Sequence, residues 1–164
     1  RLSELAQLKV ADICLSTLRI QIQESNNDQH LKTPSAKRSI PLHSELIRLG
    51  FIDYVLKQAR NCEYSLWSEL PKRENKAGGF FSVWFSVYKK ECGIPTDVDF
   101  HSFRHTVRTK LVQQRINESV IDKLLGHAPT GSTGARTYTH VDEFLSDAVE
   151  SIDIPAIRQL APIK

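Results

Sequence analysis

The sequence predicts an α+β fold, a mainly helical domain with a small antiparallel sheet near its N-terminal end. Three observations lead there. Residues 18–23 (LRIQIQ) alternate apolar and polar side chains, the period of two expected of a strand with one buried face. Beyond residue 44, apolar residues recur instead at three- and four-residue spacings, broken by helix stops such as Gly126. The strand patterns precede the helical ones rather than alternating with them, which gives no support to a parallel, doubly wound sheet.

Taken in order, residues 3–8 read as a short helix, 18–23 as a strand, and Asn26, Asn27 and Asp28 as a turn. Residues 30–33 and 38–42 read as further short strands, so that the sheet presents Lys32 near a hairpin. Ser44 is suited to cap a helix reaching Arg60, with Leu46, Ile47, Phe51, Val55 and Ala59 toward the core. Residues 71–79 are polar and rich in breakers. They form a surface loop whose Lys72, Arg73 and Lys76 are able to meet phosphates, as they are able simply to be solvated. Helices follow near 80–91, 101–115, 118–125 and 142–151. Asn117 is the expected cap of the third, and Gly126 its stop in the left-handed conformation.

A chain of 164 residues is long enough for one sizeable core, and residues 1–164 are expected to form one domain. Hydrophobic content of 40% and charged content of 25% are ordinary for a water-soluble protein, and no apolar run is long enough for a membrane span. A net charge of +3 permits a polyanionic partner without identifying one. Cys14, Cys62 and Cys92 are odd in number and widely spaced, against a disulfide framework or a zinc ribbon. A reducing, cytoplasmic location is the expectation. The chain starts at arginine and lacks methionine, so it is expected to be a piece of a longer protein.

The chemistry concentrates in the last third. HSFRH at residues 101–105 is followed by LLGH, ending at His127, and by YTH, beginning at Tyr138. On the helix from His101, Phe103, Val107 and Leu111 recur every four residues as the core stripe, leaving His101, Arg104 and Arg108 on a neighbouring one. Residues three apart are neighbours on a helix, so His101 and Arg104 are able to reach one phosphate. The arginine would use paired hydrogen bonds, and the histidine one bond or a proton transfer. His127, after the helix stop, reads on its own as a surface histidine and within the series as a site residue. Tyr138 lies in the polar string RTYTH, unlike Tyr54, Tyr64 and Tyr88, whose apolar or helical settings read as structural. A phenol has a pKa of about 10, so its attack on a phosphodiester requires a base and strong positive charge nearby. The neighbouring histidines and arginines supply both.

With Arg1 in RLSEL and Lys32 in KTPSAKRSIPL, these motifs occur in the order found in one known family. From Arg1 to about His140 the chain resembles the catalytic domain of tyrosine recombinases of the phage-integrase type. The resemblance implies that Arg1 is the family's first arginine, Lys32 its hairpin lysine, His101 and Arg104 its His-x-x-Arg element, His127 its histidine-or-tryptophan position and Tyr138 its nucleophile. Lys37 is a second candidate for the lysine. The interval from His127 to Tyr138 is slightly long for the family, and the helices and the DNA-clamping domain that precede the first arginine are absent, which leaves Arg1 expected to be loosely held.

The resemblance further implies a site-specific recombinase, an integrase of a mobile element, cleaving and rejoining duplex DNA through a 3'-phosphotyrosine. It would act as a homotetramer on two duplexes, without metal or other cofactor, and residues 141–164 would be the segment exchanged between neighbours. Arg1 and Arg104 would clamp the phosphate, Lys32 would protonate the leaving oxygen, His101 would exchange the tyrosine proton and His127 would hydrogen-bond the phosphate. A type IB topoisomerase would form the same adduct, and strand exchange as opposed to supercoil relaxation separates the two. A DNA-binding module without activity, and a metal-dependent nuclease using His101, His105, His127 and His140, are the readings from other classes. Few acidic residues near those histidines weigh against the nuclease.

Overall fold

The computed structural model describes residues 1–25, 29–71, 78–128 and 141–162. The expected turn at residues 26–28 and most of the basic loop, with Lys72, Arg73 and Lys76, lie outside them. Helix α1 (Leu2–Ala6) leads through a 3-10 turn, Val10–Asp12, into β1 (Ile13–Cys14). Strands β1, β2 (Arg19–Ile22) and β3 (Arg38–Pro41) pair antiparallel in that order, with Ile13 opposite Ile20 and Ile20 opposite Ile40. One face of the sheet is thus apolar, with Ile22 buried and Ile20 half-buried.

The strand expected over residues 30–33 does not form. Pro34 opens a 3-10 turn, Pro34–Ala36, directly after Thr33, and a proline has no N–H to give to a ladder. The single helix expected from Ser44 to Arg60 is two, α2 (Ser44–Arg48) and α3 (Phe51–Arg60). Gly50 separates them at φ 89°, a left-handed conformation that interrupts the helix and that glycine adopts without strain. The cap is His43, whose Nδ1 accepts from the Glu45 N–H at 3.0 Å. Ser44 instead gives both its N–H and its hydroxyl to the Glu150 carboxylate, each at 2.7 Å. The break also turns Leu46 and Ile47 outward, so that of the expected stripe Val55 alone is fully buried.

The later helices are α4 (Gly79–Glu91), α5 (Ser102–Gln113), α6 (Glu118–Leu125), α7 (Leu145–Glu150) and α8 (Pro155–Arg158). Helix α6 is central. Its Val120, Ile121, Leu124 and Leu125 pack with Leu111 of α5 and with Leu145, Ala148 and Val149 of α7. A second cluster joins Leu8, Ile13, Ile22, Val55 and Leu66 under the sheet, and Ile40 of β3 touches both clusters. At about 1.5–3 kcal/mol for each fully buried large aliphatic side chain, these clusters are what hold α6 against the sheet. Phe103 departs from its expected place in the core stripe of α5. It is 58% exposed and meets Phe85 and Phe100 in an aromatic group, while Val107 is half-buried and Leu111 fully buried. No helix among the described residues is long and apolar enough to cross a membrane.

Candidate active site

The site is organised by the C-terminal end of α6. Asn117 caps the start of that helix, its Oδ1 accepting from the Ser119 N–H at 2.9 Å, and Gly126 ends it at φ 67°. The last carbonyls of a helix lack intrahelical donors and carry its partial negative charge. Two guanidiniums take them. Arg38 of β3 donates Nε to the Leu124 carbonyl at 2.8 Å and Nη1 to the Ala36 carbonyl at 2.6 Å, and Arg104 of α5 donates Nη2 to the Leu125 carbonyl. Gly126 is required by space as well as by φ, because a Cβ there would stand 2.7 Å from Arg38 Nη1 and 3.2 Å from the Ala36 backbone.

A buried carboxylate connects this end of α6 to Arg1. Glu4 of α1 accepts from Arg38 Nη2 at 2.7 Å and from Arg1 Nη1 at 2.8 Å. Burial pushes its carboxyl up, but the hydrogen bond and charge of Arg38, backed by Arg1, outweigh this and hold it below its ordinary range. Arg1 is therefore fastened at the start of α1, contrary to the loose hold expected of it. Burial and the charges of Arg1 and Arg38 push Arg104 in turn below its usual value. Two guanidiniums share the Glu4 carboxylate and the third, of Arg104, lies within their electrostatic reach, leaving an excess of positive charge suited to an anion.

Arg1, His101 and Arg104 line one cavity of about 580 Å3, floored by apolar side chains that include Ile20, Ile40 and Leu124. His101 precedes α5, is exposed, and lies edge-on to His105 with ring centroids 4.9 Å apart. Desolvation first, then the charges of His105 and Arg104, push its pKa down, which favours the neutral imidazole that accepts a proton. His127 follows Gly126. Its N–H donates to the Asp122 carbonyl at 2.9 Å, and its Nδ1 lies 3.1 Å from Asp122 Oδ1. Arg104 and His127 are thus held at the same helix end, through Leu125 and Asp122.

Neither Lys32 nor Lys37 lines this cavity. Lys32 and Lys37 are both exposed, and among the described residues neither side chain makes a hydrogen bond or an ion pair. Tyr138 and His140 fall in residues 129–140, outside the described residues. Among the described residues, no three His, Cys, Asp or Glu side chains converge as metal ligands would. Sequence reasoning missed Glu4, Arg38 and Asp122. Glu4 reads as an ordinary surface glutamate, although its place three residues after Arg1 allows the ion pair, and Arg38 reads as one more cation in a basic strand. Asp122 carried a faint signal, an acid within the apolar run VIDKLL of residues 120–125.

Residues 1–144 match the profile of the phage integrase family. A tyrosine recombinase of Pseudothermotoga lettingae is 28% identical over 156 residues, covering 93% of this chain and 49% of its own length. Tyrosine recombinase XerA of Pyrococcus horikoshii is 28% identical over 153 residues, 92% of this chain and 49% of its own, and tyrosine recombinase XerC of Staphylococcus haemolyticus 28% over 145 residues, 86% and 44%. The chain spans about half the length of the curated relatives it matches. No solved structure matches it significantly. The matched span takes in the arginine cluster, both histidines and the tyrosine string, and the chain belongs to the phage integrase family.

Proposed function

We propose that this chain is the catalytic part of a site-specific DNA recombinase that breaks and rejoins duplex DNA through a tyrosine-linked intermediate. The observation that carries this reading is the cavity lined by Arg1, Arg38, His101 and Arg104, in which the single carboxylate of Glu4 pairs with Arg1 and Arg38 while Arg104 is held at the same end of α6 as His127. Arg1 and Arg104 bind two non-bridging oxygens of the scissile phosphate and stabilise the charge that grows on them as the phosphorus becomes five-coordinate. A well-aimed donor of this type contributes about 3–4 kcal/mol to the rate. Tyr138 attacks phosphorus through its phenolic oxygen, giving up its proton to His101. A P–O bond forms to the tyrosine as the bond to the 5'-oxygen breaks, and Lys32 or Lys37 protonates that departing oxygen. His127 donates to the phosphate from its ring.

The tyrosyl phosphodiester conserves the bond energy of the one it replaced, so attack by a 5'-hydroxyl of a second strand reverses the step without a nucleotide cofactor. Duplex DNA is the partner, and a homotetramer on two duplexes is the assembly that strand exchange needs. The test is a nicked suicide substrate, from which the strand beyond the break diffuses away, leaving the adduct trapped. Tyr138→Phe in the full-length protein abolishes the adduct and retains DNA binding, because only the attacking oxygen is lost. An adduct formed by that variant overturns the assignment.

A further inference from the structure

We propose that Asp122 is a positioning residue for this reaction, holding a proton on Nδ1 of His127 so that the far ring nitrogen, Nε2, faces the phosphate and donates to it when the ring carries its second proton. The proposal rests on the reading of the active centre given above. Asp122 is 6% exposed, on a helix whose other buried side chains are Val120, Ile121, Leu124 and Leu125. A carboxylate in such a place is costly unless it is paired and hydrogen-bonded. Its Oδ1 lies 3.1 Å from His127 Nδ1 and 3.4 Å from Arg108 Nη1, and its main-chain carbonyl receives the His127 N–H at 2.9 Å. One residue therefore grips His127 by both backbone and ring.

The tautomer follows from the partner. A carboxylate accepts hydrogen bonds and does not donate them, so the nitrogen facing it carries a proton, and Nε2, an acceptor in the neutral ring, becomes a donor to a phosphate oxygen once the ring takes up a second proton. Arg108 extends the arrangement by pairing with both Asp122 and Glu118. It stands one turn after Arg104 on α5, so two arginines of one helix fasten the last turn of α6, Arg104 at the Leu125 carbonyl and Arg108 at Asp122. The His127 side chain stays 38% exposed while its Nδ1 is engaged. A carboxylate that orients a metal-bound histidine changes activity by about 10–100-fold when removed, and Asp122 stands in the same orienting relation to His127 without a metal.

The test combines a spectrum with a rate. In the full-length protein with 15N-labelled histidine, long-range 1H–15N correlation reports which nitrogens of each ring carry protons, and His127→Gln identifies the signals of His127. The wild type is expected to show a proton on Nδ1. Asp122→Ala is expected to lose that preference and to slow single-turnover cleavage of the suicide substrate by about tenfold or more, with unchanged DNA affinity. Asp122→Asn, which keeps an acceptor oxygen of the same size, is expected to recover most of the rate. A wild-type His127 protonated on Nε2 alone overturns the proposal and requires no variant to fold. So does Asp122→Ala cleaving at the wild-type rate while Tyr138→Phe forms no adduct, a result that leaves the reading of the active centre standing. An adduct from Tyr138→Phe would instead remove that reading itself, whatever the tautomer.

Discussion

Glu4 is the residue on which the arrangement of cations turns. With one carboxylate oxygen on Arg38 and the other on Arg1, it offsets repulsion among guanidiniums that would otherwise be held together without compensation. Removing one member of a buried ion pair typically costs about 3–5 kcal/mol, because the partner is left desolvated and unpaired. Glu4→Ala is expected to destabilise the protein by that order, read as a lower urea midpoint. The pH dependence has a definite sign. The folded state holds the Glu4 carboxyl below its ordinary value of about 4.5, so its contribution is complete above that pH and is lost as pH falls through the lower folded value. Urea titrations at neutral pH and below pH 4 are expected to show a loss in the wild type that is smaller in Glu4→Gln. Equal losses in the two proteins would contradict the pairing.

At the scale of elements, α6 converts helix geometry into an anchorage for two arginines, since its unpaired terminal carbonyls receive Arg38 and Arg104 and its C-terminal glycine leaves room for Arg38. Gly126→Ala is expected to cost about 1–2 kcal/mol for the left-handed backbone alone. A further loss follows from the approach of the new Cβ to Arg38 Nη1, 2.7 Å away, and the melting temperature reads the sum. An unchanged melting temperature would mean that the turn is not as tight as described. Both caps of this helix were legible in the sequence, because Asn117 and Gly126 act through local backbone chemistry that spacing reveals. Helices α5 and α6 were legible for the same reason. The split between α2 and α3 was not. Leu46 and Ile47 continue the apolar period of Val55, and only the left-handed φ of Gly50 shows that the period is broken there. Residues 30–33 likewise have strand composition, but the ladder stops at Pro34.

Across the whole molecule, the residues that matter come from distant parts of the chain: Arg1 and Glu4 from its start, Arg38 from the sheet, and Arg104 and His127 from the helices. The order of motifs made the cations and the tyrosine string recognisable without coordinates. The partners that hold the cations were hidden, because Glu4 with Arg38, and Arg38 with the Leu124 carbonyl, are contacts across long separations that no periodicity reports. With duplex DNA as the proposed partner, a cluster carrying more positive than negative charge would bind it with release of counterions. The full-length protein is expected to bind duplex DNA more weakly as salt rises. Arg104→Ala should flatten the logarithmic slope by about 0.9, one phosphate contact, in anisotropy titrations, and an unchanged slope would argue against contact between Arg104 and the phosphate. The most direct test of the central claim is to digest the trapped protein–DNA adduct and locate the nucleotide by mass spectrometry. The account predicts a 3'-phosphate ester on Tyr138, with a free 5'-hydroxyl on the released strand, and a nucleotide carried by any other side chain, or by the 5' end, would contradict it.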